Sequence, residues 1–111
     1  MYNSREVSAM KEIKCLYTNI RDEMEDAEKY ADLALKYKDE DRELADTFAS
    51  LSKQEVTHAE ALHAEAVRLI KDYRSRNGEP PEGMKAVYDW EHERMIGDMA
   101  DVKRLHELYR G

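Results

Sequence analysis

The fold is decided by one uninterrupted stretch, residues 16–62, which reads LYTNIRDEMEDAEKYADLALKYKDEDRELADTFASLSKQEVTHAEAL. It lies within a longer run, because none of the four Gly and two Pro residues of the chain occurs before Gly78. Gly and Pro are the residues that most often interrupt helices and form tight turns. Their absence, together with abundant Ala, Leu, Glu and Lys, excludes a hairpin-rich β fold for most of the chain and predicts long helices.

Apolar residues recur at steps of three and four in two consecutive segments, which is the spacing of a buried helical face. Between the segments, residues 38–42 contain no apolar side chain and include Asp residues suited to helix capping. We therefore predict an antiparallel pair of helices over about 4–37 and 41–76, the first capped by Asn3 or Ser4. The predicted buried stripes are Ile13, Leu16, Tyr17, Ile20, Ala27, Tyr30, Ala31, Ala34 and Tyr37, then Leu44, Phe48, Leu51, Leu62, Ala66, Leu69 and Tyr73.

A third helix is expected after a connector of helix-breaking residues. Asn77-Gly78 offers a left-handed C-terminal cap to the second helix, and Pro80-Pro81 makes the connector rigid. The apolar seam that follows predicts a helix over about 84–110, in which Gly97 costs roughly 1 kcal/mol relative to Ala. This seam comprises Tyr88, His92, Met95, Met99, Val102, His106 and Tyr109, with Trp90 as a further core or interface candidate.

The 111 residues are therefore expected to form a single all-α domain, a long antiparallel helical hairpin plus a third helix. Such a chain is one helix short of a four-helix bundle. Its apolar edges, and the small fraction of surface that so short a chain buries, favour a homodimer or a higher homo-oligomer. We expect dimerisation to complete the bundle.

Composition excludes several kinds of partner and location. The 18 Lys and Arg residues against 25 Asp and Glu give a formal net charge of −7, which argues against binding to nucleic acid or to an anionic membrane. No apolar run approaches the ~20 residues of a membrane span, and the opening residues MYNSRE lack the apolar segment of a signal peptide. The single cysteine, Cys15, excludes an intramolecular disulfide. We expect a cytoplasmic protein.

Polar residues interrupt both stripes of the hairpin. If the spacing of three and four residues continues through each interruption, Glu23 lies on the inward face of the first helix. Glu55 and His58 then lie on the inward face of the second helix. Glu23 and Glu55 are equally distant from residue 39 in the predicted turn, so the two carboxylates should face each other. A buried carboxylate is costly unless it is paired or binds a metal. Two carboxylates and an imidazole together suit a divalent transition metal.

The spacing Glu55-x-x-His58 places both side chains on one helix face. Di-iron bundles use one Glu from each of two helices and a Glu-x-x-His from each of two others, and this chain holds half of that set. In the alternative interpretation, Glu55 and His58 form a hydrogen-bonded core pair and Glu23 pairs with a Lys or Arg. Tyr30, seven residues after Glu23, either hydrogen-bonds to a ligand carboxylate or is an amphipathic core tyrosine.

The other histidines fall in different places. His63 lies outside the apolar stripe of the second helix, and its side chain is expected to be exposed to solvent. His92 and His106 lie on the seam of the third helix, and Asp89-x-x-His92 repeats the spacing of a two-ligand motif. Any of His92, Asp89 and His106 would complete a metal site if the third helix brought it close. Each is otherwise a core or interface residue.

The segments EMEDAEKY at 23–30 and EVTHA at 55–59 together resemble the paired motifs of the ferritin-like superfamily. They are most similar to the rubrerythrin and encapsulated-ferritin branch, which includes small bacterial and prophage-encoded proteins. In that branch a helical Glu is followed seven residues later by Tyr, and then by Glu-x-x-His-Ala. The resemblance covers about residues 16–70. The iron ligands that it implies are Glu23, Glu55 and His58, with Tyr30 next to them.

This resemblance implies a non-haem di-iron carboxylate site at a dimer interface, and Fe(II) oxidation of the ferroxidase type. The residues themselves leave the metal open, because imidazole and carboxylate also suit manganese and zinc. A different class of function fits the same pattern. It is a metal-free helical dimer acting as an interaction or assembly module, in which Glu and His form a polar layer that fixes helix register.

Overall fold

Three α-helices make up the described part of the chain. The computed structural model describes residues 4–111 and contains α1 (Ser4–Tyr37), α2 (Arg42–Asn77) and α3 (Glu82–Arg110), with no strand in that range. The prediction of an all-α hairpin followed by a third helix is confirmed, and each helix end lies within two residues of its predicted position. The predicted cap at Asn3 lies outside the described residues. No helix in the described range is long and apolar enough to cross a membrane.

Hydrogen bonds fix the turn of the hairpin and the end of α2. The Tyr37 carbonyl accepts from the Asp41 amide at 2.9 Å. The Asp41 side chain then accepts from the Leu44 amide at 3.1 Å and caps α2. At the other end, Gly78 has a φ of 78°, which favours glycine, and its amide donates to the Arg74 carbonyl at 2.9 Å. The predicted turn and the predicted Gly78 cap are confirmed.

Small side chains form most of the buried stripe of α2. The buried residues of α2 are Ala45, Ala49, Ser52, Val56, Ala59, Ala66 and Tyr73. The stripe predicted for this helix is therefore wrong except at Ala66 and Tyr73. Its larger residues are exposed or half-buried at the helix edge, namely Leu44, Phe48, Leu51, Leu62 and Leu69. Short side chains let helices approach closely, so the Ala stripe occupies the helix contact. The larger residues lie beside it, where Phe48 and Leu62 pack against the edge of the core.

α3 lies along the hairpin and packs chiefly against α1. Its buried residues are Met84, Tyr88, Met95, Met99, Val102 and Tyr109. This confirms most of the predicted seam, but Trp90 is 56% exposed and His92 is also exposed. In α1, Met24 is fully buried and occupies the interior position that the predicted stripe gave to Glu23. At this point the buried side of α1 is therefore rotated by one residue, or about 100°, from the side that the sequence pattern predicts.

The side of the hairpin away from α3 is called the open face here. Its members are Leu16, Glu23, Tyr30, Phe48, Leu51, Glu55, His58 and Leu62, all half-buried or exposed. Tyr30 and Tyr37 both stack on Phe48, with ring centroids 6.1 Å apart in each pair. Within residues 4–111 no helix covers this face. The chain is a rod of 57 × 19 × 17 Å with half-buried apolar residues along this side.

Ser52 is a buried polar residue that connects all three helices. Its hydroxyl donates to the Ala27 carbonyl at 2.6 Å and lies 2.7 Å from His106 Nε2. Since the single hydroxyl proton goes to the carbonyl, the Ser52 oxygen accepts from a protonated His106 Nε2. The side chain is completely buried. Both hydrogen bonds therefore form away from water, where an unpaired donor is costly.

Ser52→Ala is expected to destabilise the protein by about 1–3 kcal/mol, because it leaves His106 Nε2 without its buried acceptor. Urea unfolding followed by circular dichroism measures this change. The matched control is Ser50→Ala, two residues away on the exposed surface of α2, which should cost less than about 0.5 kcal/mol. Equal effects from the two variants would contradict the role assigned to Ser52.

Gly97→Ala is expected to stabilise the protein by about 1 kcal/mol, since Gly97 lies inside α3 and an added Cβ meets no atom within 4 Å. Gly78→Ala should instead destabilise, although it too has open space, because its φ is positive. Thermal unfolding of the two variants beside the wild type provides the measurement. A loss of stability in Gly97→Ala would show that Gly97 serves a contact outside the single chain.

Candidate metal centre

The structure brings Glu23, Glu55 and His58 together at the middle of the hairpin. Each offers one ligand atom, and these atoms all lie within 4.8 Å of one another. The capped turn sets this register, because it pairs positions of α1 and α2 that are equally far from residue 39. Within α2, the i, i+3 spacing brings Glu55 and His58 onto one helix face.

Distances within the cluster are those of loose ionic contacts. His58 Nδ1 lies 3.4 Å from Glu23 Oε2 and 3.6 Å from Glu55 Oε2. One imidazole nitrogen therefore faces a carboxylate oxygen from each helix. A proton on Nδ1 or a metal ion near it would interact with both carboxylates.

The expected inward orientation of the cluster is wrong for His58 in the single chain. The side chain of His58 is 58% exposed, compared with 28% for Glu23 and 18% for Glu55. The neighbouring Met24 and Val56 take the interior positions instead. One residue corresponds to about 100° of rotation, so the three ligand candidates lie on the open face, at the edge of the core.

The two carboxylates lack a strong cationic partner. Within residues 4–111 neither Glu23 nor Glu55 forms an ion pair with Lys or Arg, and His58 is the partner of both. The Lys or Arg partner that the alternative interpretation expects for Glu23 is absent among these residues, whereas the contact that it expects between Glu55 and His58 is present at 3.6 Å. Two half-buried carboxylates that share one imidazole keep a net negative charge whether or not the ring is protonated. A bound cation would compensate that charge.

The donor set fits a first-row divalent metal. Two carboxylate oxygens and one imidazole nitrogen are ligands that iron, manganese and zinc accept. Three protein donors leave further coordination positions to be filled, because four is the smallest usual number. These positions face outward, since the cluster lies on the open face.

Tyr30 has contacts other than the one expected from sequence. Its ring stacks on Phe48, and the Lys29 ammonium lies 5.3 Å from the ring centroid. In the described part of the chain its hydroxyl makes no hydrogen bond to Glu23 or Glu55. The single chain therefore matches the amphipathic tyrosine of the two interpretations, next to the cluster rather than bonded to it.

None of the α3 candidates joins this cluster among the described residues. His106 bonds to Ser52, and His92 stacks on His63 with ring centroids 5.1 Å apart. The expectation that His63 is in solvent is wrong, because it is half-buried against His92. Asp89 lies in the groove around this histidine pair. The histidines of α3 instead contact the side of α2 that bears Ser52 and His63.

Two polar contacts near the site were missed by sequence reasoning. Arg21 Nη2 donates to both oxygens of Glu91 at 2.8 and 2.9 Å, which joins α3 to α1 two residues before Glu23. Ser52 lies one helical turn before Glu55 and ties α2 to α1. The sequence feature that could have identified Ser52 is its position, three or four residues from its neighbours in the Ala stripe. Nothing in the sequence pairs Arg21 with Glu91, which is 70 residues away.

No family model matches this sequence, and it has no significant match among curated proteins or solved structures.

Proposed function

We propose that this chain binds a divalent transition metal, iron in the first place, through Glu23, Glu55 and His58. The observation that carries the proposal is the convergence of their three donor atoms within 4.8 Å. The absence of a Lys or Arg partner for either carboxylate, within residues 4–111, adds to it. Membership of the ferritin-like superfamily and a cytoplasmic location, which suits the exposed free thiol of Cys15, are parts of the same proposal.

A second copy of the chain would complete the site. One chain supplies Glu23 from α1 and Glu55-x-x-His58 from α2, half of the ligands of a di-iron carboxylate bundle. A two-fold interface through the open face puts identical residues opposite each other. Two three-donor clusters would then form one dinuclear site, enclosed between the two hairpins.

Apolar residues flank the cluster in the pattern that such an interface requires. Leu16 and Leu62 lie seven residues beyond Glu23 and Glu55 on the side away from the turn. Tyr30 and Phe48 lie seven residues away on the side near the turn. All four are half-buried in the single chain. A copy seated here would remove apolar surface from water on both sides of the metal ligands.

The surface area of the chain agrees with a missing partner. The chain exposes 7181 Å², compared with roughly 6,300 Å² for a compact monomer of the same mass. The excess is of the order of the ~800 Å² that each partner buries in a standard interface.

Fe(II) oxidation is the reaction proposed for this site. Iron bound there would give one electron to dioxygen or peroxide, which is reduced, and the Fe(III) formed would stay on the same ligands. Glu23 and Glu55 would bind the ion, compensate its charge and favour the more highly charged product. His58, the most exposed of the three, would provide the nitrogen ligand at the side from which ions enter.

The second candidate function is a metal-free helical dimer acting as an interaction or assembly module. The half-buried apolar residues of the open face favour it as much as they favour a metal site. In this case the contacts of His58 with Glu23 and Glu55 would form a polar layer that sets the register of two hairpins. The two candidates differ in whether the dimer needs the ion.

Protein loaded with Fe(II) under argon and then exposed to air is expected to retain about one iron per chain. It should also develop near-ultraviolet absorbance as Fe(III) forms. A double variant, Glu55→Ala with His58→Ala, should lose both signals because two of three donors are removed. Iron analysis after gel filtration and a visible spectrum are the measurements.

A matched control exists in the same helix. Glu60 and His63 have the same i, i+3 spacing but lie outside the cluster. Glu60→Ala with His63→Ala should bind iron like the wild type. Iron retained by the Glu55 and His58 double variant, or lost equally from both double variants, would overturn the metal site. A stable dimer that binds no metal would favour the assembly module.

Leu62→Arg is expected to give a monomer and to reduce iron retention, because it puts a charge into the apolar part of the open face next to the cluster. Sedimentation equilibrium with and without Fe(II) measures this. Ile96→Arg is the control, since Ile96 is 53% exposed on α3, which covers the other side of the hairpin. A monomeric wild type with full iron content, or a Leu62→Arg dimer, would contradict completion of the site by a second copy.

A further inference from the structure

Polar groups, including three of the four histidines, link α2 to α3. α3 packs chiefly on α1 through apolar residues and has few contacts with α2. Side-chain links between α2 and α3 include Ser52–His106, His63–His92, Asp46–Tyr109 and the Arg42 guanidinium over the Tyr109 ring. Two of them contain imidazole, the side chain whose charge changes near neutral pH.

His63 and His92 stack face to face between the two helices. Their ring centroids are 5.1 Å apart and the ring planes differ by 20°. Burial, and then the neighbouring His92, lowers the pKa of His63 below its usual range. The stack is therefore built for a neutral His63.

Charged and titratable groups from all three helices face this stack. Lys71 and Arg74 of α2 lie in the same groove and oppose an added positive charge. Asp89 of α3 favours it, and the Tyr17 and Tyr88 phenols are neutral. The net effect at His63 is a lowered pKa, caused first by burial and then by His92.

His106 has a similar environment nearer the turn of the hairpin. Burial lowers its pKa, and Lys53 of α2 and Arg110 of α3 lower it further. α1 faces it only with Ala31 and Ala34, so that no charge on this side favours the imidazolium. The causes that lower the pKa of His106 are burial and the two cationic side chains, Lys53 and Arg110.

We propose that His63, through its stack on His92, and His106, through its bond to Ser52, form an acid-sensitive latch. It holds α3 to α2 while His63 and His106 are neutral, and their protonation in mild acid releases the side of α3 that contacts α2. α3 would remain attached to α1 through its apolar face. The latch is independent of the proposed metal site, because the three ligand candidates lie on the open face and α3 covers the other side.

The direction of the pH effect follows from proton linkage. A histidine with a lowered pKa binds fewer protons in the folded state than in the unfolded chain. Its contribution to stability is complete above about pH 6.5, the ordinary histidine value, and is lost as the pH falls through the folded value. Because His63 and His106 hold two points of the same edge, their protonation should loosen α3 before the α1–α2 hairpin unfolds.

Hydrogen exchange of metal-free protein, in the presence of a chelator, tests the latch. Exchange at about pH 7.5 and about pH 5.5 is corrected for the intrinsic pH dependence of amide exchange. Amides of α3 are expected to lose about ten-fold more protection in acid than those of α1 and α2. The latch is overturned if α3 keeps its protection, or if all three helices lose it together.

Two substitutions keep the contacts and remove the titration. His63→Phe retains a flat ring against His92, and His106→Gln retains a nitrogen donor for Ser52. The double variant should show no extra loss of α3 protection in acid. Glu28→Gln, at an exposed position of α1, should behave like the wild type. If the double variant is too unstable to compare, the two single variants are measured instead. Each should show a smaller extra loss of α3 protection in acid than the wild type. The same loss as in the wild type, in both single variants, would overturn the proposal.

Discussion

The register of the α1–α2 hairpin is the constraint on which the rest of the structure depends. It is set by a short turn in which Asp41 bonds back to Tyr37 and then caps α2. A shift of one residue between the helices would move the paired positions by about 1.5 Å and rotate one face by about 100°. Glu23 would then no longer lie opposite Glu55. The candidate metal centre is thus a consequence of a turn more than ten residues away from it.

Side-chain size decides which faces of the hairpin are used within the chain. The Ala and Ser stripe of α2 allows close helix packing, and the buried Ser52 hydroxyl adds a hydrogen bond from α2 to α1. The larger Leu and Phe residues are left on the open face, around the two carboxylates and His58. This division gives the metal and dimer proposals a common basis. The side that the chain does not cover is also the side with the uncompensated negative charge.

α3 differs from the hairpin in how it is held. Its contact with α1 is apolar and includes the Arg21–Glu91 ion pair, whereas its contact with α2 consists of a few polar links. An apolar contact is little affected by pH, but an imidazole contact depends on one proton. The two edges of α3 therefore respond differently to acid. The open face on the other side of the hairpin does not depend on this difference.

The sequence by itself determined the three helices, their ends and the convergence of Glu23, Glu55 and His58, because these follow from local rules: absent breakers, capping residues and fixed helical periodicity. In α1 and α3 most of the predicted stripe is buried, but only the tertiary structure decided which face of α2 packs. Two stripes about 100° apart both satisfy the same periodicity, and contact between helices selects the Ala stripe over the Leu stripe. The same selection buried Met24 in place of Glu23 and left His58 exposed. The stacking of His63 on His92 joins separate helices, so no local rule contains it.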